Sequence, residues 1–230
     1  MEVQKTKIVK GFEHINYTPL TYKENEMLKR SLDYFNWLNK RRTVREFSQK
    51  TVSKKIIENI ILSASTAHSG AHKQPWTFCA ISNSKLKSKI RKAAELEEKL
   101  AYEVKMSRQW KEDLAPIGTD MFKPFIEEAP WIIVDFKRIY EIDDKGKRYN
   151  NYYVNESIGI ACGMMISAIH NAGLVTLTHT PNPMNFLTEI LNRPANERAF
   201  ILFPVGYANE DVYVPNLKRK KLEDVSCFFE

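Results

Sequence analysis

The stretch from Thr66 to Phe78 constrains the fold of this chain most, because a helical pattern ends there and an extended one begins. Ahead of it, Ile56, Ile57, Ile60, Ile61 and Ala64 recur at helical spacing behind Ser53, a plausible N-cap. Behind it, Trp76 to Ile81 is apolar enough for a buried strand. A helix must therefore feed a strand through a short irregular link that carries Ser69, Gly70 and Pro75. Gly70 is expected to take backbone angles that other residues avoid, turning neighbouring N–H groups toward a ligand. Taken alone, these residues suit an ordinary polar turn as well.

About one helix upstream, Arg41-Arg42-Thr43-Val44-Arg45 places three guanidinium groups and a hydroxyl within five residues. Arginine offers paired donors to phosphate oxygens, and an extended backbone would turn Arg41, Thr43 and Arg45 to one face. A solvated Arg-rich turn is the plainer alternative. The net charge of +7 is dispersed and interleaved with acidic residues, so an anionic small ligand accounts for it without nucleic acid or a membrane surface. Cys79, Cys162 and Cys227 form no CxxC, which suggests neither zinc nor a disulfide framework and fits a reducing compartment. His68 and His72 lack a third ligand, so no metal is expected.

With 230 residues, one domain is the default. Residues 1–22 read as an extension, 23–208 as the folded domain and 209–230 as a tail too poor in apolar residues to stand alone. Lys23 to Asn39 reads as a helix with Leu28, Leu32, Phe35 and Leu38 inward, and Ser84 to Leu114 as one long charged helix stopped by Pro116 and Gly118. A short helical piece near Met121 to Glu127, a strand from Trp131 to Phe136 and a charged hairpin from Glu141 to Tyr149 follow. Glu156 to Ala172 is apolar almost all round, which predicts burial on every side, with Gly159 and Gly163 admitting a close neighbour. Leu174 to Leu177 and Ala199 to Pro204 are strands, flanking a helix from Met184 to Leu191. The longest apolar run, Ile158 to Ile169, is too short to span a bilayer, and the first ten residues lack the apolar core of a signal peptide. A soluble, cytoplasmic protein is expected. No GxGxxG or Walker-type loop is present, which argues against a Rossmann site.

Several motifs occur in a collinear order: Arg-Arg-Thr-Val-Arg at 41–45, Ser-Gly-Ala-His at 69–72, Pro-Trp-Thr-Phe at 75–78, Ala-Gly-Leu-Val-Thr at 172–176, Thr180-Pro181, Arg193-Pro194, Pro204-Val205-Gly206-Tyr207 and Leu217-Lys218-Arg219-Lys220. Together they resemble the iodotyrosine deiodinase branch of the FMN-dependent nitroreductase superfamily, over roughly residues 35 to 222. The resemblance implies an α+β nitroreductase-like fold and a homodimer with exchanged terminal segments, FMN lying at the subunit interface. It assigns Arg41, Arg42, Thr43, Val44, Arg45 and Arg219 to the phosphate and ribityl end of FMN. Ser69, Gly70, Thr178, His179 and Thr180 would border the ring.

The same resemblance places Glu98, Tyr102 and Lys123 where the family holds an amino-acid zwitterion, with the Ala71 N–H on the phenolate oxygen. Thr180 falls where the family sets a hydroxyl against flavin N5, which lets a two-electron carrier deliver electrons singly. The implied reaction is reductive dehalogenation of 3-iodo-L-tyrosine to tyrosine and iodide. The electrons would come from NAD(P)H or an electron-transfer reductase. Read without the family, Glu98 sits beside Glu95 and Glu97 in what looks like a solvated stripe, and Lys123 is an unremarkable surface lysine. His68 replaces the family's usual proline before Ser69. A broad nitro or quinone reductase is the nearest alternative, and it needs no zwitterion clamp. The flavin-fragmenting branch that makes the lower ligand of cobalamin is another, and it is not expected to carry Glu98, Tyr102 and Lys123.

Overall fold

The structure, a computed structural model, describes residues 5–230. Two compact units divide the chain, one ending at Arg41 and the other running from Arg42 to Glu230. In the first, β1 (Thr6–Val9) and β2 (Phe12–Ile15) form an antiparallel hairpin, and α1 (Glu24–Asn39) follows. The helix starts where expected, but its apolar stripe is not inward: Leu28, Leu32 and Phe35 are exposed, and α1 has no buried residue. Its apolar spacing is genuine, and nothing in its own unit is large enough to cover it.

The second unit is built on a four-stranded antiparallel sheet of order β3 (Trp76–Ile81), β4 (Trp131–Arg138), β8 (Glu197–Gly206), β7 (Val175–Thr176). Alternation along β4 sends Ile133 to one face and Ile132, Val134 and Phe136 to the other. Both faces are covered, so the strand reads as a continuous apolar run. On one face lie α2 (Lys54–Ser65), with Ile57, Ile60 and Ala64, and α6 (Val154–Asn171), with Ile158, Ala161 and Met165. On the other lie α3 (Ser84–Leu100), α5 (Phe125–Glu128) and α7 (Asn185–Ile190), through Ile90, Ala94, Phe125, Ile126 and Leu187. Ser53 caps α2 by accepting from the Ile56 amide, as its position predicts. The charged hairpin is β5 (Tyr140–Ile142) with β6 (Arg148–Asn150).

Two helical expectations change. The segment Ser84 to Leu114 is not one helix. After Leu100 it loosens into a π-turn at Ala101–Lys105, breaks at Met106, and restarts under a Ser107 cap as α4 (Arg108–Leu114). Ser107 competes for the amides that a continuous helix needs, so the restart wins. Nor is α6 buried on every side: Gly159, Ile160 and Gly163 face out, and a Cβ at either glycine would meet open space. The described residues cover one side of a helix whose sequence is apolar on nearly every side. The tail beyond Glu210 is mostly exposed, including Leu217 and Phe228, with Val212 and Val214 half-buried. Cys79, Cys162 and Cys227 are free thiols. No helix among the described residues is long and apolar enough to cross a membrane.

Candidate active site

Glu98, Tyr102 and Lys123, distant in sequence character, come together. Lys123 is only 3 % exposed. Its Nζ faces Glu98 Oε2 at 3.2 Å and donates to the Asp120 carbonyl and to Thr119 Oγ1. Tyr102 sits in the π-turn, its ring under the Lys123 ammonium at 5.8 Å and its hydroxyl donating to the Thr119 carbonyl at 3.1 Å. A π-turn inserts an extra residue into a helix and re-aims the side chains after it, a distortion found often at functional sites. Burial raises the Tyr102 phenol above its ordinary range, so it remains a donor. Gly118, in the left-handed region at φ 66°, turns the chain into the loop that carries Thr119 and Lys123.

Arg45 lies close enough to Tyr102 for the two to feel each other's charge. The segment before it continues the sheet: Thr43 bridges Thr176 in parallel and the Val44 amide donates to the Thr176 carbonyl at 3.2 Å, with Val44 buried. That burial turns Thr43 and Arg45 away from the core. Arg42 donates to the Pro215 carbonyl in the tail. Both guanidiniums are half-buried, yet among the described residues no carboxylate acts on Arg45, and burial lowers its affinity for a proton. Such cations call for an anion. Arg41 closes the first unit, its amide donating to Leu38 at 3.0 Å, and Arg219 lies exposed in the tail.

The segment after β7 alternates: Leu177, His179 and Pro181 are buried, whereas Thr178 and Thr180 are exposed. His179 therefore does not share the threonines' face. Its ring packs edge-on against Phe125 at 5.5 Å, its peptide bridges Leu202, and burial, helped by the Lys123 charge, pushes its pKa down to about 3. The imidazole is neutral and structural, with Nε2 buried without a hydrogen-bond partner.

The Ser69 turn is anchored elsewhere, on the start of α6. Gly70 is needed there, but not for left-handed angles. A Cβ would stand 2.9 Å from the Tyr152 carbonyl oxygen and 2.9 Å from the Tyr153 ring, so close approach excludes a side chain. The left-handed angles fall instead on Ala71 (φ 49°), His72 (φ 54°) and Gln74 (φ 47°). Three strained residues in four mark a site rather than a passive connection. Ser69 Oγ accepts from the Gln74 amide at 3.0 Å. His72 and Lys73 donate the two bonds that close the turn, which leaves the Ala71 amide outside them. Sequence reasoning missed the residues that seat this turn, Tyr152, Tyr153 and Ser157, because nothing in their spacing separates them from a helix start. No group of three potential metal-ligating side chains gathers among the described residues.

Residues 38–207 match the family model of the nitroreductase family. An iodotyrosine deiodinase from Haliscomenobacter hydrossis is 54 % identical over 206 residues, 90 % of this chain and 93 % of that protein. Iodotyrosine deiodinase 1 of Homo sapiens is 42 % identical over 93 % of this chain and 74 % of its own length. Among solved structures, oxidised iodotyrosine deiodinase bound to FMN and 3-iodo-L-tyrosine superposes with a TM-score of 0.74 at 28 % identity, over 85 % of this chain and all of that one. A BluB-like flavoprotein from Clostridium difficile, at 17 % identity and a TM-score of 0.65, shares the fold. The chain belongs to the nitroreductase family, within its iodotyrosine deiodinase branch.

Proposed function

We infer that this protein is an FMN-dependent reductive dehalogenase that converts 3-iodo-L-tyrosine to tyrosine and iodide. The observation that carries the reading is the buried Lys123–Glu98 pair with Tyr102 beside it. A buried ion pair is a poor source of stability, since desolvation offsets its attraction, so its presence asks for another reason. An amino-acid zwitterion supplies one. Its carboxylate can take Lys123 and its ammonium Glu98, and every charge is paired both before and after binding. A ligand with a single charge takes one partner and leaves the other buried charge unpaired.

The donor set fits the cofactor. Arg42 and Arg45, half-buried and in no ion pair with a carboxylate among the described residues, would hold its phosphate, joined by Arg41, Thr43, Val44 and Arg219 of the same motifs. Ser69, Gly70, Thr178, His179 and Thr180 would border its ring, His179 through its main chain. FMN, when bound and reduced, supplies the two electrons that, with one proton, replace the carbon–iodine bond by carbon–hydrogen. The chain's own residues do the rest. The Ala71 amide, left out of its turn, binds the phenolate oxygen and keeps the electron-rich form of the ring. Thr180 presents its hydroxyl to the cofactor and favours delivery of electrons one at a time. The loop from Thr119 to Lys123 excludes water as it grips the amino-acid end.

A homodimer completes the reading. The outward Gly159, Ile160 and Gly163 of α6, the exposed Leu28, Leu32 and Phe35 of α1 and the exposed Leu217 and Phe228 of the tail each fit a second copy, which would place FMN at the subunit interface. NAD(P)H or an electron-transfer reductase serves as electron source, in the cytoplasm. The decisive experiment reduces FMN-loaded protein anaerobically with 3-iodo-L-tyrosine present and measures tyrosine and iodide. Equimolar release is expected. Reduction of nitroarenes or quinones without iodide release would assign the protein to the broad reductases instead.

A further inference from the structure

Lys123 is held by two carboxylates of one helix, at two different points. Glu98 meets its ammonium, whereas Glu95 Oε1 accepts its main-chain N–H at 2.8 Å. The two acids are three residues apart on α3 and so share a face. Glu95 is itself fixed: the same oxygen accepts from Arg91 Nε at 2.8 Å, and Arg91 Nη1 donates to Glu127 Oε2 at 2.9 Å. One turn earlier, the buried Lys87 donates through Nζ to the carbonyls of Glu127, at 2.8 Å, and Ala129, at 2.6 Å. Lys87, Arg91 and Glu95, each four residues from the next, thus bind both ends of the segment from Lys123 to Ala129. Glu98 restrains only the tip of a four-carbon side chain. Glu95 restrains its root.

The geometry points to Glu95 as the positioning residue of the substrate clamp. The inference rests on the reading of Glu98, Tyr102 and Lys123 as that clamp. Lysine is a point charge on a flexible stem, so it meets a carboxylate in a defined place only if its backbone is held. Arg91 keeps the Glu95 carboxylate in place for this work, and the pairing on the substrate side remains free to exchange between Glu98 and a ligand. Glu95 touches neither substrate nor cofactor. Its loss falls on recognition of the amino-acid end and leaves the chemistry of the ring intact.

The test compares Glu95→Ala, Glu95→Gln and Lys123→Met in FMN-loaded protein, measuring KM and kcat for 3-iodo-L-tyrosine and the Kd of 2-iodophenol, which has no zwitterion. Glu95→Ala is expected to raise KM about tenfold, equivalent to about 1.4 kcal/mol, with kcat and the 2-iodophenol Kd within about twofold. Glu95→Gln keeps an oxygen for the Lys123 amide and should recover most of the loss. If Glu95→Ala does not fold, Glu95→Asp, one methylene too short to reach, replaces it. Equal losses for both ligands, a fall in kcat alone, or no change in KM while Lys123→Met weakens 3-iodo-L-tyrosine, would each overturn the inference and leave the clamp standing. No effect of Lys123→Met would remove the clamp, and the role of Glu95 with it.

Discussion

The loop from Thr119 to Lys123, which leads into α5, and the turn from Ser69 to Gln74, which leads into β3, both follow a helix, yet they are held in opposite ways. The first is fixed by charge: a buried ammonium, two carboxylates and a phenol divide its donors and acceptors among themselves. The second is fixed by shape, through Gly70 pressed on Tyr152 and through left-handed angles at Ala71, His72 and Gln74. A site made of charges can exchange partners with a ligand. One made of backbone strain presents an amide that is ready before the ligand arrives.

Lys123→Met should break that contrast most severely. Removing one partner of a buried pair leaves the other unpaired, at a cost of about 3 kcal/mol in stability and a loss of about two orders of magnitude in 3-iodo-L-tyrosine affinity. Chemical denaturation and ligand titration read the two effects. A gain in stability with unchanged affinity would show the pair to be a passive ion pair.

Acid should distinguish the regions next. His179 packs beside the clamp, and its folded pKa, pushed down to about 3, lies below the ordinary value of 6.5. The fold thus favours the neutral ring, and the stability this group confers is complete above pH 6.5 and lost as pH falls toward 3. His179→Leu should flatten the denaturation midpoint between pH 6 and 4.

Gly70→Ala sharpens the other half of the comparison. Its Cβ would press on backbone, which cannot swing aside, so a loss of about 1–3 kcal/mol is expected, together with weaker FMN retention on dialysis. The smallest effect should come from Ala71→Gly. Relief of a left-handed alanine is worth about 1 kcal/mol, and the entropy of the added glycine offsets most of it. Stability should rise by a few tenths of a kcal/mol or stay level.

These two regions also show what a sequence discloses. The helix, turn and strand around Ser69 were legible because Ser53, Gly70 and Pro75 punctuate local structure, and local rules govern it. The conformation inside the turn was not, since no rule predicts left-handed alanine beside a glycine that needs only space. The clamp is built from residues whose types, read one at a time, are those of any exposed face. Glu95, Glu97 and Glu98 look alike in the sequence, and only the return of the chain at Lys123 separates them. Likewise the interior residues of the sheet were readable from apolar runs. The long helix from Ser84 was overextended because the Ser107 cap and the π-turn depend on where Tyr102 must point. The spacing of apolar residues along α1 and α6 was legible, but which of those faces stay exposed, Leu28, Leu32 and Phe35 on α1 and Ile160 on α6, was not, because the same pattern describes a covered and an uncovered stripe.

The central claim is that the Lys123–Glu98 pair is a receptor for a zwitterion, and one comparison addresses it directly. Oxidised, FMN-loaded protein is titrated with 3-iodo-L-tyrosine and with 3-iodotyramine, which keeps the halophenol and the ammonium but lacks the carboxylate. The account predicts that 3-iodotyramine binds about a hundredfold more weakly, because it can engage Glu98 only by stripping Lys123 of its partner. Equal affinity for the two ligands would contradict it.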